Sequence, residues 1–191
     1  MSLPVDAVIL CGGRGSRMQG QDKGLVPLAG VPLYQHVLAA LPREQLGRIF
    51  LSANRNLSTY AASGLRVLED VRPGYLGPMA GIEAALLHSQ ADWLLVVPCD
   101  MPRLPEGLLA GLWQARDGVP VVRVHDDEGR HPLLCLIRRS VLPGLQAALA
   151  AGHLAVGRWQ DEMGAREVRF AGHWANCNTL EQLAGQSSPD A

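Results

Sequence analysis

The sequence predicts a three-layer α/β/α fold, with a mostly parallel sheet, helices on both faces and one antiparallel element. Three observations carry this. Residues 5–10 read as a buried strand, and 93–97 is a continuous apolar run, the pattern of a strand covered on both faces. These runs alternate with segments whose apolar residues recur at helical spacing, the signature of a parallel sheet with crossover helices. Finally, residues 124–136 read as two strand-like runs around the polar turn Asp126-Asp127-Glu128-Gly129, which fits a hairpin.

The elements follow in order. The first strand, 5–10, stops at Gly12-Gly13. A helix is expected over 33–41, after the turn Gly30-Val31-Pro32. Strands are expected at 49–53 and 66–68, a helix over 80–88, and the central strand at 93–97. A helix over 108–115, a strand at 119–124, the hairpin and a helix over 141–151 complete the pattern. No linker or internal repeat divides the chain, so one domain over 1–191 is expected. Residues 1–4 and the small, polar stretch 185–191 are expected to be flexible.

Composition narrows the function. The chain has 191 residues, 48% of them hydrophobic, enough for a real core. Lys+Arg 17 against Asp+Glu 18 gives a formal net charge of -1, without the basic excess of a general nucleic-acid binder. Residues 1–6 carry no positive segment, and no apolar run is long enough to span a membrane. Cys11, Cys99, Cys135 and Cys177 form no C-x-x-C pair, so they read as reduced thiols of a cytoplasmic protein.

The segment from Leu10 to Lys23 holds the first candidate chemistry. Cys11, Gly12, Gly13 and Gly15 follow the first strand directly, where open α/β sheets bind ligands. Glycines let backbone N–H groups approach phosphate oxygens, and Arg14, Arg17 and Lys23 supply cations for the same oxygens. Lys23 is followed by Gly24, so this is not a Walker A loop. Met18 stands where a third glycine would complete G-x-G-x-x-G, which disfavours a dinucleotide site.

Asp100, in Pro98-Cys99-Asp100-Met101-Pro102, follows the central strand and is the candidate magnesium ligand. One carboxylate plus triphosphate oxygens and water is an ordinary magnesium arrangement. The competing reading is a helix cap, although Asp100 lies upstream of the helix start expected near Pro105. Between the two loops stand Asn54, Glu69-Asp70 and Gly77-Pro78-Met79-Ala80-Gly81. Asp70 could accept from the N–H groups of guanine, Asn54 could meet either kind of edge atom, and Gly77 and Gly81 would let backbone lie against base or ribose. Taken singly, each is equally a turn residue or a solvated charge.

The glycine-rich segment resembles the nucleotidyltransferase signature L-A-G-G-x-S-x-R-M-G-x-D-K, with Cys11 in place of the alanine and Gln19 in place of a glycine. From about residue 5 to residue 184 the chain resembles the molybdenum cofactor guanylyltransferases (MobA-type). The match adds Ser52-Ala53-Asn54-Arg55, Val124-His125-Asp126, His131-Pro132-Leu133 and Asn176-Cys177-Asn178-Thr179. The resemblance implies the Rossmann-like fold of the nucleotide-diphospho-sugar transferases. It implies GTP and Mg2+, with Lys23, Arg17 and Asp100 catalytic and Leu10, Cys11, Gly12, Gly13, Lys23, Asn54, Asp70, Gly77 and Asp100 on the nucleotide. The implied acceptor is molybdenum-loaded molybdopterin, and the implied products are the guanine dinucleotide cofactor and pyrophosphate. Asn176, Asn178, His131 and Arg130 are the leading acceptor-side candidates, with Arg123 and His125 behind them. Transient contact with cofactor-biosynthesis proteins or molybdoenzymes is also implied, for a protein expected to be a monomer. A cytidylyltransferase on the same cofactor, a sugar-phosphate nucleotidyltransferase and a noncatalytic nucleotide-binding module remain open at this point.

Overall fold

The computed structural model describes residues 3–12 and 21–172. Its main sheet has seven strands: β1 (Val5–Leu10), β4 (Ile49–Ser52), β5 (Arg66–Leu68), β6 (Trp93–Pro98), β7 (Val121–His125), β8 (Arg130–Arg138) and β9 (Arg166–Arg169), in the spatial order β5-β4-β1-β6-β8-β7-β9. β2 (Pro27–Leu28) and β3 (Val31–Pro32) form a separate small antiparallel pair around the expected Gly30 turn. In the main sheet β1 pairs in parallel with both β4 and β6, β4 with β5, and β7 with β9. Only β8 runs against its neighbours, pairing antiparallel with β6 and β7. The expected hairpin therefore supplies the antiparallel element.

Every residue of β1 and β6 is buried; β6 is apolar throughout, whereas β1 buries one carboxylate, Asp6, which accepts from Arg48 N (2.7 Å) and Ser89 Oγ (2.8 Å). Alternate residues feed two cores. Ala7, Ile9, Leu51, Leu95, Val97 and Val122 pack under α1 (Leu33–Ala40), α2 (Leu57–Ala61) and α4 (Leu108–Gln114). Val8, Leu10, Phe50, Leu94, Val96 and Cys135 pack under α3 (Pro78–His88), α5 (Leu142–Ala150) and α6 (Val156–Glu162). This is the predicted three-layer arrangement.

α2, α6 and β9 were not expected. β9, Arg-Glu-Val-Arg, is an edge strand with one apolar residue, so it carries no apolar run to read. Leu3 and Pro4, expected to be flexible, are tied down: Leu3 N donates to Gln45 O (2.9 Å), and Pro4 O accepts from Trp93 N (3.2 Å). No described helix is long and apolar enough to cross a membrane.

α3 lies close against the sheet because residue 81 lacks a side chain. A Cβ there would stand 2.4 Å from Ser52 Oγ and 3.0 Å from Leu10 Cδ2. Gly81→Ala should therefore lower stability by about 1–3 kcal/mol, the usual cost of overpacking. Urea unfolding measures this, and a variant as stable as the wild type would contradict the close approach.

Candidate active site

Four parallel strands deliver their carboxyl ends to one edge of the sheet. β1 and β6 end level, with Leu10 opposite Pro98. The loops beyond continue the ladder by backbone bonds: Cys99 N to Leu10 O (3.1 Å), Cys11 N to Ser52 O (2.9 Å) and Ala53 N to Leu68 O (3.0 Å). Gly12, Asn54, Asp70 and Asp100 are thus carried on rigid strand ends. The Cys11 side chain is buried in the core beneath them, and burial raises its thiol pKa well above the ordinary value. Cys11 can meet a nucleotide only through its backbone.

Lys23 reaches across 77 residues to Asp100, with Nζ 2.5 Å from Oδ2. The other oxygen, Asp100 Oδ1, is buried and accepts no hydrogen bond. A buried carboxylate oxygen without a partner is costly unless something else satisfies it. An oxygen-seeking cation suits that position, and no described cluster of three or more His, Cys, Asp or Glu offers a protein-only metal cage. α4 is preceded by Gly107, so Asp100 is not its cap.

Lys23 is itself positioned from the neighbouring residue. Tyr60 Oη donates to Asp22 Oδ1 (2.6 Å) and Asn56 Nδ2 donates to Asp22 Oδ2 (3.0 Å). Tyr60 is fully buried, and burial pushes its hydroxyl pKa up, so it stays a donor at neutral pH. Gly24 packs against the same ring, where a Cβ would come within 2.4 Å of Tyr60 Oη. Asp22 therefore serves as a tether. The sequence reading missed Tyr60 and Asn56, whose roles depend on contacts 38 and 34 residues away.

A cleft enclosing about 620 Å³, partly open to solvent, lies over β1, β4 and the start of α3. It is lined by Leu10, Gly12, Ser52, Asn54, Asp70, Tyr75, Gly77, Pro78 and Gly81. Asn54 and Asp70 are locked together: Asn54 Nδ2 donates to Asp70 Oδ2 (2.9 Å), and Asp70 N donates to Asn54 Oδ1 (2.9 Å). Asn54 thus spends its amide on holding Asp70, whose Oδ1 takes no part in that exchange. Gly77 has φ 74 and ψ -160, a conformation essentially restricted to glycine. Tyr75, which the sequence reading passed over, stands at the mouth of this cleft.

A second cleft, of about 400 Å³, lies where the carboxyl end of β6 meets the amino end of β8 and is lined by Pro98, Asp100, Met101, Arg130, His131, Pro132, Leu133 and Leu134. Two of the acceptor-side candidates thus share a wall with Asp100. His131 Nε2 lies 2.7 Å from Oδ2 of the fully buried Asp126. Asp126 Oδ1 accepts from Glu128 N (2.8 Å) and Gly129 N (3.0 Å), so the hairpin turn holds the carboxylate that holds the imidazole. Arg130 is half-exposed and pairs with Glu167 (2.8 Å) and Asp161 (3.5 Å). Arg123 is a correction. It is fully buried and binds Asp161 and Glu167, each at 2.6 Å, so it fastens α6 and β9 to β7 rather than facing an acceptor. The expected site residues Gly13, Arg14, Gly15, Arg17, Asn176 and Asn178 lie outside the described residues.

With this geometry in place, comparison with known proteins decides the family. The sequence profile of the MobA-like NTP transferase domain matches residues 7–165. The chain belongs to this family. A relative from Serratia proteamaculans, named molybdenum cofactor guanylyltransferase, is 42% identical over 180 residues, covering 93% of this chain and 91% of its own. One of the same name from Yersinia pseudotuberculosis is 38% identical over 178 residues, covering 92% and 91%. The crystal structure of molybdopterin-guanine dinucleotide biosynthesis protein A from Archaeoglobus fulgidus superposes with a TM-score of 0.75 at 23% identity, covering 95% and 96%. CMP:2-keto-3-deoxy-manno-octonic acid synthetase in complex with CTP superposes with a TM-score of 0.74 at 16% identity, covering 96% of each chain. At these identities the two structures speak for the shared fold.

The carboxyl of Asp70 is held above the ordinary carboxylate range, first by burial and then by the charge of Glu83, against the opposing hydrogen bond from Asn54. A pKa raised on folding contributes stability below the unfolded value, and that contribution is lost as pH rises through the folded value. Ionised Asp70 thus weighs on the ligand-free fold at neutral pH. Asp70→Asn should be at least as heat-stable as the wild type at pH 7, with any advantage shrinking towards about pH 3.9, and should bind nucleotide more weakly. Thermal melts across pH together with calorimetric titration decide this; a variant that gains stability only in acid would refute it.

Proposed function

We infer that this protein transfers GMP from GTP to the terminal phosphate of molybdenum-loaded molybdopterin, giving the guanine dinucleotide cofactor and pyrophosphate. The observation that carries the reading is the state of Asp100. One of its oxygens is held by Lys23 and the other is buried without a partner. Asp100 lines the β6–β8 cleft and sits one strand away from Gly12, which lines the other cleft. Two substrates bound in the two clefts would meet beside this carboxylate. The names of the relatives at 42% and 38% identity support the choice of guanine and of the molybdenum cofactor.

The chemistry asks the protein for alignment and charge. Magnesium, when held by Asp100 and triphosphate oxygens, supplies charge neutralisation at the reacting phosphates. Lys23, fixed by the Asp22–Tyr60 tether, places a cation at the same centre. Arg17 belongs with it as a phosphate partner, on the strength of the motif alone. Asp70 accepts from the base, and Asn54 holds Asp70 at the right angle to do so. Arg130 and His131 face the acceptor, with Asn176 and Asn178 assigned there from the motif. The attacking phosphate forms its bond to the α-phosphorus as pyrophosphate leaves, so no covalent enzyme intermediate is needed. We assign the protein to the cytoplasm as a monomer that passes its product on through transient protein contacts.

Incubation with α-labelled GTP or CTP, magnesium and molybdenum-loaded molybdopterin tests the reading. Labelled dinucleotide should form from GTP. Asp100→Ala should cut turnover by about 100-fold or more, as loss of a main electrostatic stabiliser does. Product from CTP alone would overturn the guanine assignment, and near-normal turnover of Asp100→Ala at saturating magnesium would remove Asp100 from the metal site.

A further inference from the structure

The segment between β5 and α3 has a conformation that sequence preference does not explain. Gly74 has φ 104, Tyr75 φ 52 and Gly77 φ 74. Glycine tolerates such values, but tyrosine seldom adopts them, because its Cβ crowds the neighbouring carbonyl. Tyr75 is also 51% exposed, the most exposed of the large hydrophobic side chains described. Burying the ring in the core would reward the strain, yet the ring is left in contact with water. Strained residues of this kind persist where surrounding structure holds them for a purpose, and they cluster at ligand sites.

The position of Tyr75 indicates the purpose. It lines the large cleft with Leu10, Asp70 and Gly77, and it also lines a second, more open cavity with Glu69, Asp70 and Arg72. The large cleft is lined by the apolar side chain of Leu10 and by Gly81, and has a polar edge at the Asn54–Asp70 pair. A flat heterocycle resting there with its edge on Asp70 still needs cover on its outer face. Tyr75 is the aromatic ring available for it among the residues lining the cleft.

We propose that Tyr75 is the stacking residue of the nucleobase pocket, held in its strained turn so that its ring covers the outer face of the bound base. The proposal rests on the guanine nucleotide reading of this cleft and adds a division of labour. Asp70 reads the edge of the base and so distinguishes bases, whereas Tyr75 grips the face and is indifferent to edge groups, because every base offers a π-face.

Calorimetric titration of the full-length protein with magnesium and either GTP or ITP, which lacks the 2-amino group, separates the two roles. Tyr75→Ala should weaken both nucleotides equally, by about 5- to 150-fold, the range for alanine replacing a base-stacking aromatic. Tyr75→Phe should keep wild-type affinity, because the ring and not the hydroxyl does the work. Tyr75→Gly should bind as weakly as the alanine variant yet melt no lower than the wild type, since glycine relaxes the turn. Wild-type GTP affinity in Tyr75→Ala overturns the proposal. So does a Tyr75→Phe as weak as the alanine variant, or a loss confined to GTP. Failure of the guanine reading looks different: the wild type would bind ATP as well as GTP, while the loss in Tyr75→Ala persisted for every nucleotide.

Discussion

The contact on which the rest of the site depends is the 2.5 Å pairing of Lys23 with Asp100. It joins a loop after the first strand to a loop after the central strand, 77 residues apart. It exists because β1 and β6 are parallel neighbours that end level, Leu10 beside Pro98. Were β6 to slip by one residue, its side chains would change faces and Asp100 would leave the edge. The buried apolar faces of both strands forbid that slip, so the position of the carboxylate is set by the same packing that forms the core. Partly buried, the pair is screened less than a surface bridge.

The cleft over β1 and β4 follows the same principle. Asn54 and Asp70 stand at the ends of adjacent parallel strands and satisfy each other through two hydrogen bonds of 2.9 Å. The interaction fixes the direction of the carboxylate, while burial and the charge of Glu83 work against its ionised form. Glu83 is buried on α3 and held by three hydrogen bonds from Arg72, which neutralise it beneath the pocket. The buried Glu83 charge is thus compensated by Arg72, as a buried ion requires.

Much of this was legible in the sequence, for physical reasons. β1 and β6 are buried on both faces, so both read as largely apolar runs, interrupted in β1 only by Asp6, and the glycines and Asp100 follow them. Residues placed by strand ends can be read from strand ends. What escaped notice depends on distant partners. Tyr60 looks like a core aromatic until it meets Asp22, 38 residues earlier. Arg123 resembles a site cation because its carboxylates, Asp161 and Glu167, come 38 and 44 residues later and belong to elements with no clear apolar pattern. Tyr75 follows an evident turn signal, Pro73-Gly74, but nothing in composition announces a positive φ at a tyrosine.

The reversal of β8 explains how one sheet edge serves two clefts. In an all-parallel sheet every strand presents its carboxyl end to the ligand edge, and each further strand needs a crossover helix to return. β8 instead arrives from β7 through a four-residue turn and runs against β6. Its amino end therefore lies at the ligand edge, which brings Arg130 and His131 beside Asp100. The turn that makes the reversal also buries Asp126, whose carboxylate takes two turn N–H groups on one oxygen and faces His131 on the other. Arg123 then clamps β7 to β9 and α6 behind the hairpin, through two carboxylates that also hold Arg130. The antiparallel strand is thus the device that puts polar side chains across from Asp100, on a wall made rigid by a buried arginine.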